Sequence, residues 1–138
     1  MTALKKESQD AILFVDDELL ILLSMSNQVK RNFGDRFRYL TAQTANEALE
    51  LIEEIQSEGL RILLVFSDWS MPGINGDEFL KTLHKTHPQI NKVIVTGYAD
   101  QKALNTLKTE TNLKYILRKP WEEFRLLEII NSVLEERQ

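Results

Sequence analysis

The chain has 138 residues, enough for one domain with a core of its own. Its hydrophobic content of 43% and charged content of 28% are ordinary for a globular protein. A net charge of -4 without a basic stripe argues against nucleic-acid binding, and the absence of cysteine excludes disulfides and thiolate chemistry. The sequence has neither a bilayer-length apolar stretch nor a signal-peptide pattern, so we expect a cytoplasmic protein that does not bind membranes.

Short apolar runs alternate with amphipathic segments along the chain. The runs are apolar on both faces, which is typical of strands buried in a parallel sheet. They predict five strands, at about 11–16, 37–42, 62–67, 92–96 and 114–118. The amphipathic segments predict five helices, at about 19–33, 45–57, 75–86, 99–108 and 121–136. This alternation predicts one α/β domain with a doubly wound sheet and right-handed crossovers.

Polar groups follow four of the predicted strands at the point where each apolar run ends. Asp16 and Asp17 end the first run, Asp68 the third, Thr96 the fourth and Lys119 the fifth. Taken singly, each group has an ordinary structural explanation, as a helix cap, a turn residue or a strand exit. In an open parallel sheet, however, ligands bind outside the carboxyl ends of the strands. The joint occurrence at one edge favours a functional site.

The chemistry of these groups indicates phosphoryl binding. Three carboxylates brought together repel one another, and one is driven towards protonation unless a cation neutralises them. Mg²⁺ typically binds one or two carboxylates together with water and phosphate oxygens, and a lysine adds a compact positive charge for a phosphate oxygen. Such a site suits transfer of a phosphoryl group to a carboxylate, which depends mostly on positioning and charge neutralisation.

Four segments, in order, resemble the receiver domain of bacterial two-component response regulators. They are Val15-Asp16-Asp17-Glu18, Ser67-Asp68-Trp69-Ser70-Met71-Pro72-Gly73, Val95-Thr96-Gly97-Tyr98-Ala99-Asp100 and Arg118-Lys119-Pro120-Trp121. Each segment alone is a weak signal, but four at this spacing are a strong one. The resemblance, to single-domain, chemotaxis-regulator-like receivers, implies the flavodoxin-like fold with five helices and strand order 2-1-3-4-5. We assign residues 11–138 to the receiver domain and residues 1–10 to an N-terminal extension.

The resemblance implies a phosphorylation-dependent signalling switch. Asp68 would accept a phosphoryl group from a phosphohistidine on a sensor histidine kinase or a histidine phosphotransfer protein. Lys119 would pair with a phosphoryl oxygen, and Thr96 would donate its hydroxyl to another once Asp68 is phosphorylated. The surface of helix four, strand five and helix five would then bind a downstream protein. Such a receiver promotes its own phosphorylation and dephosphorylation rather than turning over an external substrate, as a monomer or a phosphorylation-dependent dimer.

The resemblance also implies a set of Mg²⁺ ligands. Asp17 and Asp68 would bind the ion directly, and Asp16 mainly through water. The backbone carbonyl of Ser70, two residues past Asp68, would complete the protein ligands.

One position departs from the family pattern. Many receivers carry an aromatic residue three positions before the lysine, and here that position is Ile116. Tyr115 is one step earlier and, because strand side chains alternate, should face the opposite way. Tyr98 is a second candidate for the missing aromatic, and ordinary packing explains both tyrosines equally well.

The first helix offers a candidate docking surface. Leu20 and Leu23 lie off its core-facing stripe and should be exposed. In the family, the first helix and the loop after the fifth strand receive the helical domain of the kinase. We therefore assign docking to Leu20, Leu23, Pro120 and Trp121 as a hypothesis.

Three alternatives remain beside the switch. A phosphatase of the haloacid dehalogenase class also uses Asp and Mg²⁺, but needs a second acid where Ser70 stands. A flavodoxin-like cofactor binder needs a phosphate-binding loop after the first strand, and this sequence has no such loop there. A receiver-like scaffold that works without phosphorylation would not need the complete acid, threonine and lysine set.

Overall fold

The computed structural model describes residues 10–97 and 100–136. These residues form the strands β1 (Asp10–Val15), β2 (Arg38–Ala42), β3 (Arg61–Asp68), β4 (Asn91–Thr96) and β5 (Tyr115–Arg118). They also form the helices α1 (Leu19–Phe33), α2 (Ala45–Ser57), α3 (Gly76–Thr86), α4 (Gln101–Thr111) and α5 (Glu123–Glu136), with a 3-10 turn at Gly34–Arg36.

The five strands form one parallel sheet in the order β2-β1-β3-β4-β5. This confirms the expected fold class and strand order. Helix α4 continues to Thr111, beyond the predicted end, because Leu107 and Thr111 are still buried. Helix α5 begins at Glu123 rather than 121, since its first backbone hydrogen bonds run from Arg125 and Leu126 to the carbonyl of Glu122. The indole N–H of Trp121, in the loop before it, donates to Gln28 of α1 at 2.7 Å.

Both faces of the sheet are covered by helices, which explains the apolar runs. Side chains of β1 alternate between the two layers: Ala11 and Leu13 pack with α2, α3 and α4, whereas Ile12 and Phe14 pack with α1 and α5. The ring of Phe14 stacks on Phe66 of β3 with centroids 5.4 Å apart. Because neither face meets water, the sheet provides a rigid base for the loops at its edges.

The helices present an apolar side to the sheet and a polar side outward. In α2 the hydroxyl of Thr44 accepts a hydrogen bond from the Glu47 N–H at 3.1 Å, which fixes the start of the helix. Ala48, Ile52 and Ile55 of the same helix are buried against the sheet. Within the described ranges, none of the helices has the length and apolar character needed to cross a membrane.

Strand β1 begins at Asp10, at the edge of the described region. The assignment of residues 1–10 to an extension and of 11–138 to the domain therefore stays a prediction. Tyr98 and its neighbour at 99 also lie outside the described residues, so the proposed aromatic role of Tyr98 is untested.

Candidate functional site

The parallel register brings the polar strand ends to one edge of the sheet. Asp68, the last residue of β3, is paired with Val95, the residue before Thr96 in β4. Thr96 is in turn paired with Arg118, the residue before Lys119. The groups that sequence analysis placed at separate strand ends are thus neighbours in space.

Backbone hydrogen bonds extend the sheet into the loops that carry the functional side chains. The N–H of Asp16 donates to the carbonyl of Ala42 at 3.1 Å. The N–H of Lys119 donates to the carbonyl of Thr96 at 2.9 Å. Because these bonds continue the strand pairing by one residue, the sheet fixes the backbone position of Asp16 and of Lys119.

The carboxylates of Asp16, Asp17 and Asp68 form a tight cluster, in which one oxygen from each lies within 4.8 Å of the others. Asp16 and Asp68 are buried, with 3% and 8% exposure, whereas Asp17 is exposed. The ammonium of Lys119 bridges two of them, with Nζ 2.8 Å from Asp16 Oδ2 and 3.2 Å from Asp68 Oδ1. The structure therefore brings together an acid cluster and one lysine.

The three carboxylates differ in what they can still bind. Both oxygens of Asp16 are engaged, Oδ2 by Lys119 and Oδ1 by the backbone N–H of Glu18 at 2.8 Å. Asp68 shares only its Oδ1 with Lys119, and Asp17 faces solvent. The oxygens available to a ligand thus belong mainly to Asp17 and Asp68.

The charges of this cluster do not balance within the protein. Burial, and then the negative charge of Asp16, raise the pKa of Asp68 above its ordinary value, although Lys119 opposes the shift. For Lys119, burial acts to lower the pKa, but the hydrogen bond that it donates to Asp16 and the charge of Asp68 outweigh burial, and the pKa is raised. Three carboxylates and one ammonium leave two negative charges. A hard divalent cation with oxygen ligands fits this donor set.

The first residue of α3 is a positioning residue that sequence analysis missed. Gly76 begins α3, and its N–H donates to the carbonyl of Trp69 at 2.7 Å. A Cβ at Gly76 would lie 1.9 Å from the backbone carbonyl oxygen of Asp68. The helix start therefore packs directly against the backbone of Asp68. The sequence signal for this contact is the glycine in Asn75-Gly76-Asp77.

A second missed contact supports the acid pair. The side-chain amide of Gln43, in the loop after β2, donates to the backbone carbonyl of Asp17 at 3.2 Å. The N–H of Gln43 is in turn bonded to the carboxylate of Glu47 at 3.1 Å. Since Gln43 is far from Asp17 in sequence, no local pattern pointed to this contact.

The remaining predicted residues occupy distinct places around the cluster. Thr96 is buried at the end of β4, and Ser70 is exposed in the loop after β3. Ile116 packs on the α2, α3 and α4 side of the sheet, whereas Tyr115 packs on the other side and donates to Glu136 at 2.9 Å. The expectation that the two face opposite ways is confirmed, and Tyr115 does not occupy the position of the missing aromatic.

Comparison with known families identifies this arrangement. The family model described as the response regulator receiver domain matches residues 12–131, which include every member of the acid cluster and Lys119. The chain belongs to this family. Receiver domains are signalling domains of two-component systems, which receive phosphoryl groups from histidine kinases and bind Mg²⁺ at an acidic cluster.

Individual relatives agree with this assignment. The hydrogenase transcriptional regulatory protein HoxA of Cupriavidus necator is 28% identical over 131 residues, which are 94% of this chain and 25% of that protein. The sensor kinase CckA of Brucella abortus is 33% identical over 96 residues, 70% of this chain and 10% of that protein. The chain thus spans a quarter or less of the length of these two curated relatives.

Solved structures share the architecture of this receiver domain. A CheY-like response regulator receiver domain protein from Methanospirillum hungatei has a TM-score of 0.79 and 31% identity, with 92% of this chain and 94% of that chain covered. The signal receiver domain of an HD domain-containing protein from Pseudomonas fluorescens has a TM-score of 0.80 at 24% identity, covering 98% and 93%. The latter likeness concerns the fold alone.

The contact between Gly76 and Asp68 gives a first prediction. Gly76→Ala should lower the free energy of unfolding by more than about 3 kcal/mol, because its methyl group must displace the Asp68 backbone. Gly73→Ala is the matched control. Its Cβ meets nothing within 4 Å, and it introduces only the strain of a positive φ, about 1 kcal/mol. Urea unfolding measures both variants, and equal losses would contradict the proposed contact.

The raised pKa of Asp68 gives a second prediction. Without Mg²⁺, the ionised carboxylate destabilises the folded protein above its folded pKa, and this cost fades as the pH falls towards the unfolded value. Asp68→Asn should therefore raise the free energy of unfolding by about 0.5–1 kcal/mol at pH 7 in EDTA, and the gain should disappear near pH 4.

Urea titrations at the two pH values test this difference. Asp77→Asn, which removes a carboxylate outside the cluster, should give no gain. A less stable Asp68→Asn variant at pH 7 would show that the site favours the charged form.

Proposed function

We propose that this receiver domain is a phosphorylation-dependent switch whose phosphoacceptor is Asp68. The donor is a phosphohistidine on a sensor histidine kinase or a histidine phosphotransfer protein. The observation that carries the proposal is the position of Asp68, buried at the end of β3, bonded to Lys119 and clustered with Asp16 and Asp17. No other described carboxylates form a cluster of this kind with a bridging lysine.

The proposed step is a transfer of the phosphoryl group between two side chains. Lys119 Nζ contacts Asp68 Oδ1, and one carboxylate oxygen of Asp68 attacks phosphorus. The new O–P bond forms as the P–N bond of the phosphohistidine breaks, and the bonding electrons return to the imidazole ring of the donor. The product stays on the protein, so the domain promotes its own phosphorylation and later hydrolysis without turning over an external substrate.

We assign Mg²⁺ to the two carboxylates that retain free oxygens. Asp17 and Asp68 would hold it directly, the backbone carbonyl of Ser70 would add a third protein ligand, and Asp16 would contribute mainly through water. The engagement of both Asp16 oxygens by Lys119 and Glu18 supports this division of roles. The ion supplies the positive charge that Lys119 alone does not provide for the transferred oxygens.

Phosphorylation changes the neighbouring face formed by α4, β5 and α5. Thr96 ends β4 beside the cluster, and its hydroxyl binds a phosphoryl oxygen after transfer, which draws the following loop inward. Ile116, in place of the usual aromatic, contacts a groove of about 450 Å³ on this face. The groove is lined by Gln101, Leu104, Lys108, Ile116, Leu117, Arg118, Pro120, Trp121, Glu122 and Arg125. A downstream protein, as yet unidentified, binds this surface.

The phosphoryl mimic beryllofluoride tests the switch directly. It should bind only when Mg²⁺ is present and quench or enhance the fluorescence of Trp69, which follows Asp68. Asp68→Asn should abolish this response, because the beryllium atom needs the carboxylate oxygen. Asp77→Asn, outside the cluster, should bind as well as the wild type.

A response retained by Asp68→Asn would reject Asp68 as the acceptor. The absence of any response in the wild type would instead favour a receiver-like scaffold that works without phosphorylation.

The exposed leucines of α1 are the proposed docking surface for the donor. Leu20 and Leu23 are 80% and 46% exposed, as expected from their place off the core stripe. The indole N–H of Trp121, in the loop after β5, donates a hydrogen bond to Gln28 of α1. These residues lie on the elements that follow Asp17 and Lys119, so a helical partner seated on them would hold its phosphohistidine near Asp68.

Charge substitution tests this surface. The double variant Leu20→Glu and Leu23→Glu should slow phosphoryl transfer from the cognate donor at least tenfold, since it buries charge in an apolar contact. Binding of beryllofluoride should remain unchanged. The control Asn46→Glu and Ser57→Glu adds the same charge to the exposed side of α2. Normal transfer by the leucine variant would exclude docking through these residues.

A further inference from the structure

Lys92 interrupts an apolar stripe that begins just before β4 and runs along it. Ile90 and Ile94 belong to the buried layer beneath α2, α3 and α4, and the alternation of strand side chains places Lys92 between them on that face. Lys92 is only 7% exposed. A lysine at a buried strand position is costly and needs a partner for its charge.

The partners of Lys92 within the described residues do not meet this need. Its ammonium donates to the backbone carbonyl of Ile90 at 2.8 Å, which uses one of three N–H donors. Burial lowers the pKa of Lys92, and no neighbouring carboxylate opposes the shift. Lys119 provides the contrast, because it bridges two carboxylates and its pKa is raised.

Lys92 also lines a pocket of about 210 Å³ at the amino ends of β4 and β5. The lining contains two lysines and no acid; its residues are Pro88, Ile90, Asn91, Lys92, Thr111, Asn112, Lys114 and Tyr115. Lys114 is paired with Glu136, at 3.4 Å. The charge of Lys92 is therefore the one in this lining that lacks a carboxylate partner in the described part of the chain.

We propose that this pocket binds a small organic carboxylate, with the Lys92 ammonium as its ion-pair partner. A carboxylate accepts the two donors that Ile90 leaves unused and compensates the buried charge. The pocket has room for several water molecules, and so for an acid of the size of succinate. Lys92 lies four residues before Thr96, on the order of 13 Å along the strand, so the site is separate from the phosphoacceptor cluster.

Titration of the wild-type protein with succinate, followed by NMR in EDTA, tests the proposal. Amide resonances of Lys92 and of Thr111–Tyr115 should shift with millimolar affinity. Neutral succinamide, at the same ionic strength, should shift them at least tenfold less. This comparison requires no variant, so it is independent of any effect of mutation on folding.

Matched variants test whether the Lys92 ammonium is the group that binds succinate. Lys92→Met, which keeps the length of the side chain, should weaken succinate binding at least tenfold, and Lys92→Arg should retain it. Lys85→Met, on the exposed surface of α3, should bind like the wild type. Equal binding of succinamide, or undiminished succinate binding by Lys92→Met, would overturn the proposal. Binding of inorganic phosphate in the pocket without succinate binding would overturn the assigned ligand class.

Discussion

The excess of negative charge at the carboxyl edge of the sheet shapes the whole functional region. Asp16 and Asp68 are buried there, where an unpaired carboxylate is unfavourable, and Lys119 compensates only part of their charge. The backbone N–H of Glu18 stabilises Asp16 further, while Asp68 keeps a raised pKa. The site is thus destabilised in isolation, and binding of the proposed cation would relieve that cost.

Such a strained electrostatic arrangement requires a rigid backbone beneath it. The parallel strands, buried on both faces, supply that rigidity. One backbone hydrogen bond each fixes Asp16 and Lys119, in the loops, to a neighbouring strand. Gly76 adds a further contact, because glycine has no Cβ and so lets the start of α3 approach the carbonyl of Asp68. The carboxylates are consequently held close together instead of moving apart to relieve their repulsion.

The partly buried Lys119 and the buried Lys92 illustrate how position decides the role of one residue type. Lys119 lies at the carboxyl edge among acids, and its charge holds the cluster together. Lys92 lies near the amino edge, bonded to a backbone carbonyl and lining a pocket that no acid lines. Within the described residues, Lys119 is paired with two carboxylates, whereas Lys92 is paired with none. The difference lies in the side chains that the fold places around each ammonium.

The sequence by itself determined the alternation of strands and helices, because strands buried on both faces must be apolar and helices must be amphipathic. It also determined which polar groups stand at the strand ends, and hence the family. Only the tertiary structure decided which oxygens of the acid cluster are occupied, how closely Gly76 approaches Asp68, and which face Tyr115 occupies. The bond from Lys119 to Asp16 joins residues 103 positions apart. Contacts of this kind depend on strand register and loop geometry, which no local pattern of residues encodes.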